Sequence, residues 1–231
     1  MDRRIFLGWA LASAVGATLS ACGGGDDGMP ASDLASSSRR ATTTTTTTTT
    51  AAATAKSRVI VIGGGMGGAT VAKYLRLWGD AIAVTLVERM PTYTSNIMSS
   101  MVLTGQRSLS SLSYSYDTLR TKYGITTVFG EVVAIDPVAA KVTLANGTVL
   151  TADRIVMAPG ITFDTVPGLG TSDKMPHAWQ AGPQTTLLAN QLKAMPAGGV
   201  AVLSIPKTPY RCPPGPYERA SMFAHALKRA G

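Results

Sequence analysis

The 231 residues carry 21 Lys and Arg against 13 Asp and Glu, a formal net charge of +8, with two cysteines. Two cysteines exclude a disulfide-stapled scaffold. The basic residues are scattered, and no Lys/Arg block is interleaved with aromatics, so the excess reads as a solvated surface, with an acidic protein partner as the alternative, and not as a nucleic-acid footprint.

The chain opens MDRRIFLGWALASAVGATLSAC. Arg3 and Arg4 form a positive start, and Ile5 to Ala21 form a short apolar stretch rich in small residues. That pattern predicts a signal peptide over residues 1–21. Arg3-Arg4-Ile5-Phe6-Leu7 fits a twin-arginine export signal. Leu19-Ser20-Ala21-Cys22 has the order of a lipoprotein cleavage box, with Cys22 as the lipidated first residue; the alternative is an ordinary secretory signal with a chance cysteine. The expectation is a periplasmic protein anchored to the membrane through Cys22. Residues 22–57 hold GGGDDG, SSS and nine threonines, Thr42 to Thr50, with no apolar period. Nothing there offsets the entropy of ordering, so the segment reads as a tether.

Arg58 to Ile62 is a continuous β-branched run, the signature of a buried parallel strand. Gly63-Gly64-Gly65-Met66-Gly67-Gly68 follows and satisfies G-x-G-x-x-G at Gly63, Gly65 and Gly68. A helix is predicted from Ala69 to Trp78, and a second strand from Ala81 to Val87 ends at Glu88. Gly63 permits the tight turn, Gly65 lets backbone approach a pyrophosphate, and Gly68 with Ala72 lets the helix sit close to the strand. The helix start faces the phosphates with unpaired N–H groups. Glu88, about twenty residues after Gly68, is placed to accept ribose hydroxyls. It would repel the 2′-phosphate of NADP, which leaves FAD and NAD. The serines of 108–115 read as a polar loop before a helix from Tyr114 to Tyr123.

Gly130 to Asp136 alternates as a strand, and Asn146-Gly147 marks a hairpin between Lys141–Leu144 and Thr148–Leu150. Asp153 to Met157 is a strand that runs into Ala158-Pro159-Gly160. A βαβ unit, a meander and a strand ending in a small-Pro-Gly loop resemble the FAD domain of flavoproteins with two dinucleotide-binding domains. That resemblance implies an α/β fold: a Rossmann-like FAD-binding domain with a β-meander over residues 58–195, then the start of a second Rossmann-like domain over 196–231. It also implies that Ala158, Pro159 and Gly160 lie by the flavin diphosphate and that Val132 contacts adenine.

A helix is predicted from Gln184 to Met195, and Val200 to Ile205 reads as a buried strand. No glycine turn follows it, which argues against NAD(P)H as electron donor. A last helix is predicted from Pro216 to Ala230, with Tyr217, Ala220, Ser221, Ala224 and Leu227 as its packed stripe. Cys212 precedes that helix beside Arg211 and near Arg219, where a helix dipole and cations favour a thiolate. A buried structural cysteine is the plain alternative. His177 and His225 lack a third ligand with metal spacing, so no metal site is expected. His225 reads as a helix-surface residue, and a loop-packing role suits His177 and Trp179 as well as a catalytic one.

Val59 to Ala72, Met175-Pro176-His177-Ala178-Trp179-Gln180-Ala181-Gly182 and Arg211-Cys212-Pro213-Pro214-Gly215-Pro216-Tyr217-Glu218-Arg219-Ala220-Ser221 together resemble the flavoprotein subunit of flavocytochrome c sulfide dehydrogenase. The resemblance implies an exported flavoenzyme that oxidises sulfide or a related reduced sulfur compound. Cys212 matches one of two redox-active cysteines whose disulfide is attacked by sulfide, with electrons passing to FAD and then to a c-type cytochrome. This chain has no C-x-x-C-H, so the haem would sit on another chain. Where some relatives bind FAD through a cysteine, this chain has Ser95 and Asn96, so non-covalent FAD is expected. The residues assigned to the cofactor are Gly63, Gly64, Gly65, Met66, Gly67, Gly68, Glu88, Arg89, Asn96, Val132, Ala158, Pro159 and Gly160. The resembling proteins run about twice as long, and one strand makes no sheet, so the chain is expected to be a fragment. The rival readings are a sulfide:quinone oxidoreductase and a truncated, non-catalytic FAD-binding lipoprotein.

Overall fold

Four parallel strands carry the fold in the computed structural model, which describes residues 55–167, 173–205 and 210–230. The expected signal peptide, Cys22 and the threonine run lie outside the described residues, as do residues 206–209 of the cysteine loop and Gly231. Strand β1, Ser57–Ile62, is followed by helix α1, Met66–Trp78, and strand β2, Ile82–Glu88. β1 begins one residue inside the expected tether, because Ser57 is in register with Ile82. α1 begins at Met66, before the expected Ala69: the chain turns helical directly after the glycine turn.

Strand β3, Thr92–Thr94, pairs antiparallel with β4, Ser113–Ser115. Between them lie helix α2, Ser99–Leu103, and a 3-10 turn, Leu109–Leu112. The Ser108 hydroxyl caps that turn by accepting the Ser111 N–H at 3.3 Å. Tyr114 was expected to start a helix. It sits instead in β4 opposite Tyr93, and helix α3 spans Asp117–Tyr123. Ladder pairing between residues 19 to 23 positions apart is invisible to local periodicity, so the serine-rich strand is not legible in the sequence.

β5, Thr126–Phe129, then runs parallel to β2. β6, Val132–Asp136, β7, Lys141–Leu144, and β8, Val149–Thr151, form the expected antiparallel meander. The β7–β8 turn is the predicted Asn146-Gly147 pair: Gly147 takes φ +83° and the Asn146 side chain accepts the Thr148 N–H at 3.0 Å. β9, Arg154–Met157, returns to β1, which gives the sheet order β5-β2-β1-β9.

Period-two alternation splits the sheet residues between two cores. Val59, Val61, Val84 and Leu86 pack with Ala72, Tyr116 and Ile125 on the helical face. Ile60, Ile62 and Val87 pack with Val142, Leu144 and Leu150 under the meander. Each such buried aliphatic side chain contributes about 1.5–3 kcal/mol. The layers are therefore helix, parallel sheet and meander.

Helix α4 spans Pro183–Lys193 and helix α5 spans Gly215–Ala230. Val200 to Ile205 is not the buried strand expected: it has no strand assignment, and Val200 and Val202 are 83% and 86% exposed. A strand exists through its ladder partners, and no described strand pairs with this one. The face of α5 also differs from the expected stripe. Tyr217, Ala220, Ser221 and Ala224 are exposed, whereas Pro216, Arg219 and Phe223 are buried. Phe223 packs with Leu103 of α2 and Ala178, and this contact sets the helix rotation. His225 is exposed, as expected.

Candidate cofactor site and cysteine loop

The glycine turn lies where the carboxyl ends of β1 and β2 meet the start of α1, and the structure separates the jobs of its glycines. Gly63 takes φ +96° and donates its N–H to Val87 O at 2.8 Å. A Cβ there would stand 2.1 Å from the Ala158 carbonyl oxygen, so the expected 158–160 loop lies directly against the turn. A Cβ on Gly68 would stand 1.8 Å from Gly63 O, and on Gly64 2.5 Å from the Tyr116 hydroxyl. These three glycines are required by protein contacts. Gly65 is different: a Cβ there meets nothing nearer than Tyr93 Cε2 at 3.7 Å. The protein leaves space at the position whose backbone a pyrophosphate would approach.

Gly65 is also the N-cap of α1, and no side chain caps the helix or adds acid to its first turn. The first amides and the positive end of the helix dipole are thus presented to an anion. Met66 and Gly67 open helix α1, and a Cβ on Gly67 would stand 4.0 Å from Ala158 Cβ, an ordinary contact. The residues present fit a dinucleotide diphosphate.

Glu88 ends β2 beside this turn. Its Oε2 accepts the Gly64 N–H at 2.5 Å, and its Oε1 accepts the Arg89 and Met90 N–H groups at 2.8 and 3.2 Å. A carboxylate offers about four acceptor sites, so capacity for a ribose hydroxyl remains beside the turn that would hold the phosphates. The Arg89 side chain is exposed. Tyr116, 6% exposed, closes the wall behind Gly64. Burial, and then the Glu88 and Tyr93 neighbours, push its phenol above the ordinary tyrosine range, so it stays protonated. Tyr116 carries no sequence signal for this role, because it reaches this place only through the β3–β4 pairing and the start of α3.

A cavity of about 320 Å³ opens next to Gly65, lined in part by Met66, Tyr93, Ser95, Met98, Arg107 and Tyr114. Met66 is among the residues expected at the cofactor, and Ser95 stands in the segment where some relatives carry a flavin-linked cysteine; the aromatic pair and Arg107 are not among those expected, because they converge from the β3–β4 pair and the loop between its strands. Asn96 does not point its amide oxygen at an open site: Oδ1 accepts the Ala181 N–H at 2.6 Å and ties this loop to the 177–182 segment. Val132 starts β6, opposite Leu144, half-buried against the meander core. Gly160 takes φ +86° with open space around it.

The 177–182 segment is ordered by its own hydrogen bonds. His177 Nδ1 accepts the Trp179 N–H at 3.0 Å, Gln184 accepts the Ala178 N–H at 3.1 Å, and Thr185 Oγ1 accepts the Gly182 N–H at 3.1 Å. The His177 ring stacks on Phe163 at 4.2 Å. Burial, then the Arg219 charge, lower the His177 imidazole, which is thereby held neutral with Nδ1 as acceptor. Packing, one of the two roles expected for His177 and Trp179, is what the geometry displays.

Cys212 is exposed, takes φ +58° and accepts the Gly215 N–H at its carbonyl at 2.9 Å, three residues before α5. The Arg219 guanidinium, expected as a cation near the thiol, is engaged by backbone carbonyls of His177 and Ala178.

Residues 57–193 match the family model described as pyridine nucleotide-disulphide oxidoreductase, and residues 185–231 match the model for the central region of the flavoprotein chain of sulfide dehydrogenase (flavocytochrome c). Among solved structures, the chain is similar to the sulfide:quinone oxidoreductase from the hyperthermophilic bacterium Aquifex aeolicus, at 24% identity and a TM-score of 0.59, over 75% of this chain and 40% of that one. It is similar to the reductase in a covalent putidaredoxin reductase–putidaredoxin complex at 23% identity and a TM-score of 0.51, over 60% of this chain and 34% of that one. At these identities the likeness carries the fold, a mixed α/β dinucleotide-binding architecture. The chain spans well under half the length of these structures.

Proposed function

The chain belongs to the pyridine nucleotide-disulphide oxidoreductase family, and we propose that it serves in an exported FAD-dependent enzyme that oxidises sulfide or a related reduced sulfur compound. The observation that carries the cofactor is the open space at Gly65 between glycines that the protein itself closes off. The match of residues 185–231 to the flavocytochrome c flavoprotein region carries the sulfur chemistry.

Gly63 to Gly68 and the start of α1 would bind the diphosphate, with Ala158, Pro159 and Gly160 as the facing wall. Glu88 would orient the ribose, Val132 the adenine side, and Arg89 would flank the adenosine at the surface. The cavity lined by Tyr93, Ser95 and Tyr114 would hold the flavin end, with Asn96 fixing the loop behind it. Ser95 and Asn96 offer no thiol, so FAD would be held without a covalent bond. When bound, FAD supplies a two-electron acceptor.

Cys212 would be one of two redox cysteines. The second would come from outside these 231 residues, since the remaining cysteine is Cys22. Sulfide would attack the disulfide between them: a new sulfur–sulfur bond would make one cysteine a persulfide as the cysteine–cysteine bond breaks and the other cysteine leaves as thiolate, and the two electrons given up by sulfide are those that FAD, when bound, would accept. A c-type cytochrome on another chain would be the final acceptor. The Arg3-Arg4 signal and Cys22 would place the protein in the periplasm, on a lipid anchor.

The test is sulfide-dependent bleaching of the flavin absorbance in the full-length protein and in Cys212→Ser. Bleaching in the parent and its loss in the variant are expected. Bleaching at the parent rate in Cys212→Ser would remove the role given to this thiol.

A further inference from the structure

Arg219 is only 5% exposed, and among the described residues no ion pair with a carboxylate includes it. A buried guanidinium is ordinarily paired. Here Nη1 donates to His177 O and Nη2 to Ala178 O at 3.0 Å, and the guanidinium carbon lies 4.8 Å from the centre of the Trp179 ring. Nε has no hydrogen-bond partner among the described residues. An aliphatic side chain of similar volume would cost less to bury, and Phe223, Leu103 and Ala178 already hold α5 in place through apolar contact. Stability therefore does not account for a charge at this position. Its geometry does.

The planar fork grips two consecutive carbonyls, and one belongs to Ala178, which is fully buried with a left-handed φ of +46°. The indole stacked on Arg219 reaches the cysteine loop: a Cβ on Gly215 would stand 2.5 Å from Trp179 Cη2 and 3.3 Å from Cys212 Sγ. The indole edge and the sulfur thus border the same small space. In the other direction, the Ala181 N–H bonds Asn96, whose neighbours Ser95 and Ile97 line the cavity beside Gly65. A continuous set of contacts runs from the cavity wall through Asn96, the 177–182 segment, Arg219 with Trp179, and Gly215 to Cys212. Three of the five non-glycine residues with positive φ among those described, Met98, Ala178 and Cys212, stand along it. Such conformations persist where the surroundings over-determine them.

We propose that Arg219 is a positioning residue: through Trp179 and the His177 and Ala178 carbonyls it sets where the Cys212 sulfur stands relative to the cofactor cavity. The proposal rests on the reading of Cys212 as a reacting thiol. It assigns Arg219 no contact with sulfide or flavin.

The test uses the full chain with Cys22→Ala, a nitroxide label on Cys212, and the EPR line shape of the parent, Arg219→Met and Arg219→Lys. The parent should show a slow-motion spectrum. Arg219→Met should sharpen it, with far-UV circular dichroism and flavin content unchanged. Arg219→Lys, which keeps the cation but cannot grip both carbonyls, should fall between them. A parent-like line shape in Arg219→Met overturns the proposal. Should that variant unfold, Arg219→Lys decides: an intermediate spectrum supports the proposal and a parent-like one overturns it. In the unlabelled full-length protein, Arg219→Met should slow sulfide bleaching by about a hundredfold, the scale of an ångström-sized misplacement. Bleaching that persists in Cys212→Ser would sink the thiol reading while leaving the line-shape result standing, so the two failures are separable.

Discussion

The Glu88 carboxylate accepts the Gly64 N–H at 2.5 Å, so the residue expected to read the ribose also fastens the phosphate turn to the end of β2. A neutral amide could keep one of these bonds but would exchange a charged acceptor, worth about 1.5–3 kcal/mol, for one worth about 0.5–1.5 kcal/mol. Glu88→Gln should weaken FAD binding by about tenfold, equivalent to ~1.4 kcal/mol. Fluorescence titration of the apoprotein with FAD measures this, and unchanged affinity would remove Glu88 from the site.

Gly63 and Gly68 serve the fold before they serve any ligand. Their added Cβ atoms would meet backbone at 2.1 and 1.8 Å, and Gly63 also needs φ +96°. Gly63→Ala and Gly68→Ala should each destabilise the apoprotein by about 1–3 kcal/mol or more, the range for forced overpacking and a left-handed alanine. Urea unfolding of the cofactor-free protein is the measurement. Parent-like midpoints in both variants would contradict the packing described.

The His177 imidazole gives a pH dependence with a defined sign. Burial and Arg219 lower its folded value below the ordinary ~6.5. The folded state therefore binds fewer protons at this site than the unfolded chain. Its contribution is fully present above the unfolded value and is lost as pH falls through the window below it. Unfolding midpoints between about pH 8 and pH 5 should drop below ~6.5. His177→Asn, whose side-chain oxygen can still accept the Trp179 N–H, should flatten that part of the profile. An identical slope in the variant would assign the effect elsewhere.

The first half of the site was legible because its signals are local. The β1 run, the glycine turn, the helix and Glu88 follow one another within some thirty positions, and each carries a sequence cost that only this geometry repays. The Asn146-Gly147 hairpin was legible for the same reason. What was missed depends on distant pairing. Ser113–Ser115 becomes a strand only opposite Thr92–Thr94, and that pairing brings Tyr93, Tyr114 and Tyr116 to the cofactor end. Val200 to Ile205 has the composition of a strand but no described partner to pair with. The face of α5 was misjudged because periodicity sends a charged residue outward, whereas Arg219 turns in to meet two backbone carbonyls. Asn96, expected at the cofactor, accepts the Ala181 N–H through its amide oxygen, a bond that local sequence does not announce.

If the glycine turn holds FAD, the open position at Gly65 is where filling space should expel it. The measurement is bound flavin per chain, by visible absorbance after reconstitution with FAD and desalting, for the parent and Gly65→Val. One FAD per parent chain and none in the variant are expected, with the same far-UV circular dichroism, because the valine would fill space that the protein leaves to the diphosphate. Equal flavin in both proteins, or none in the parent, would contradict it.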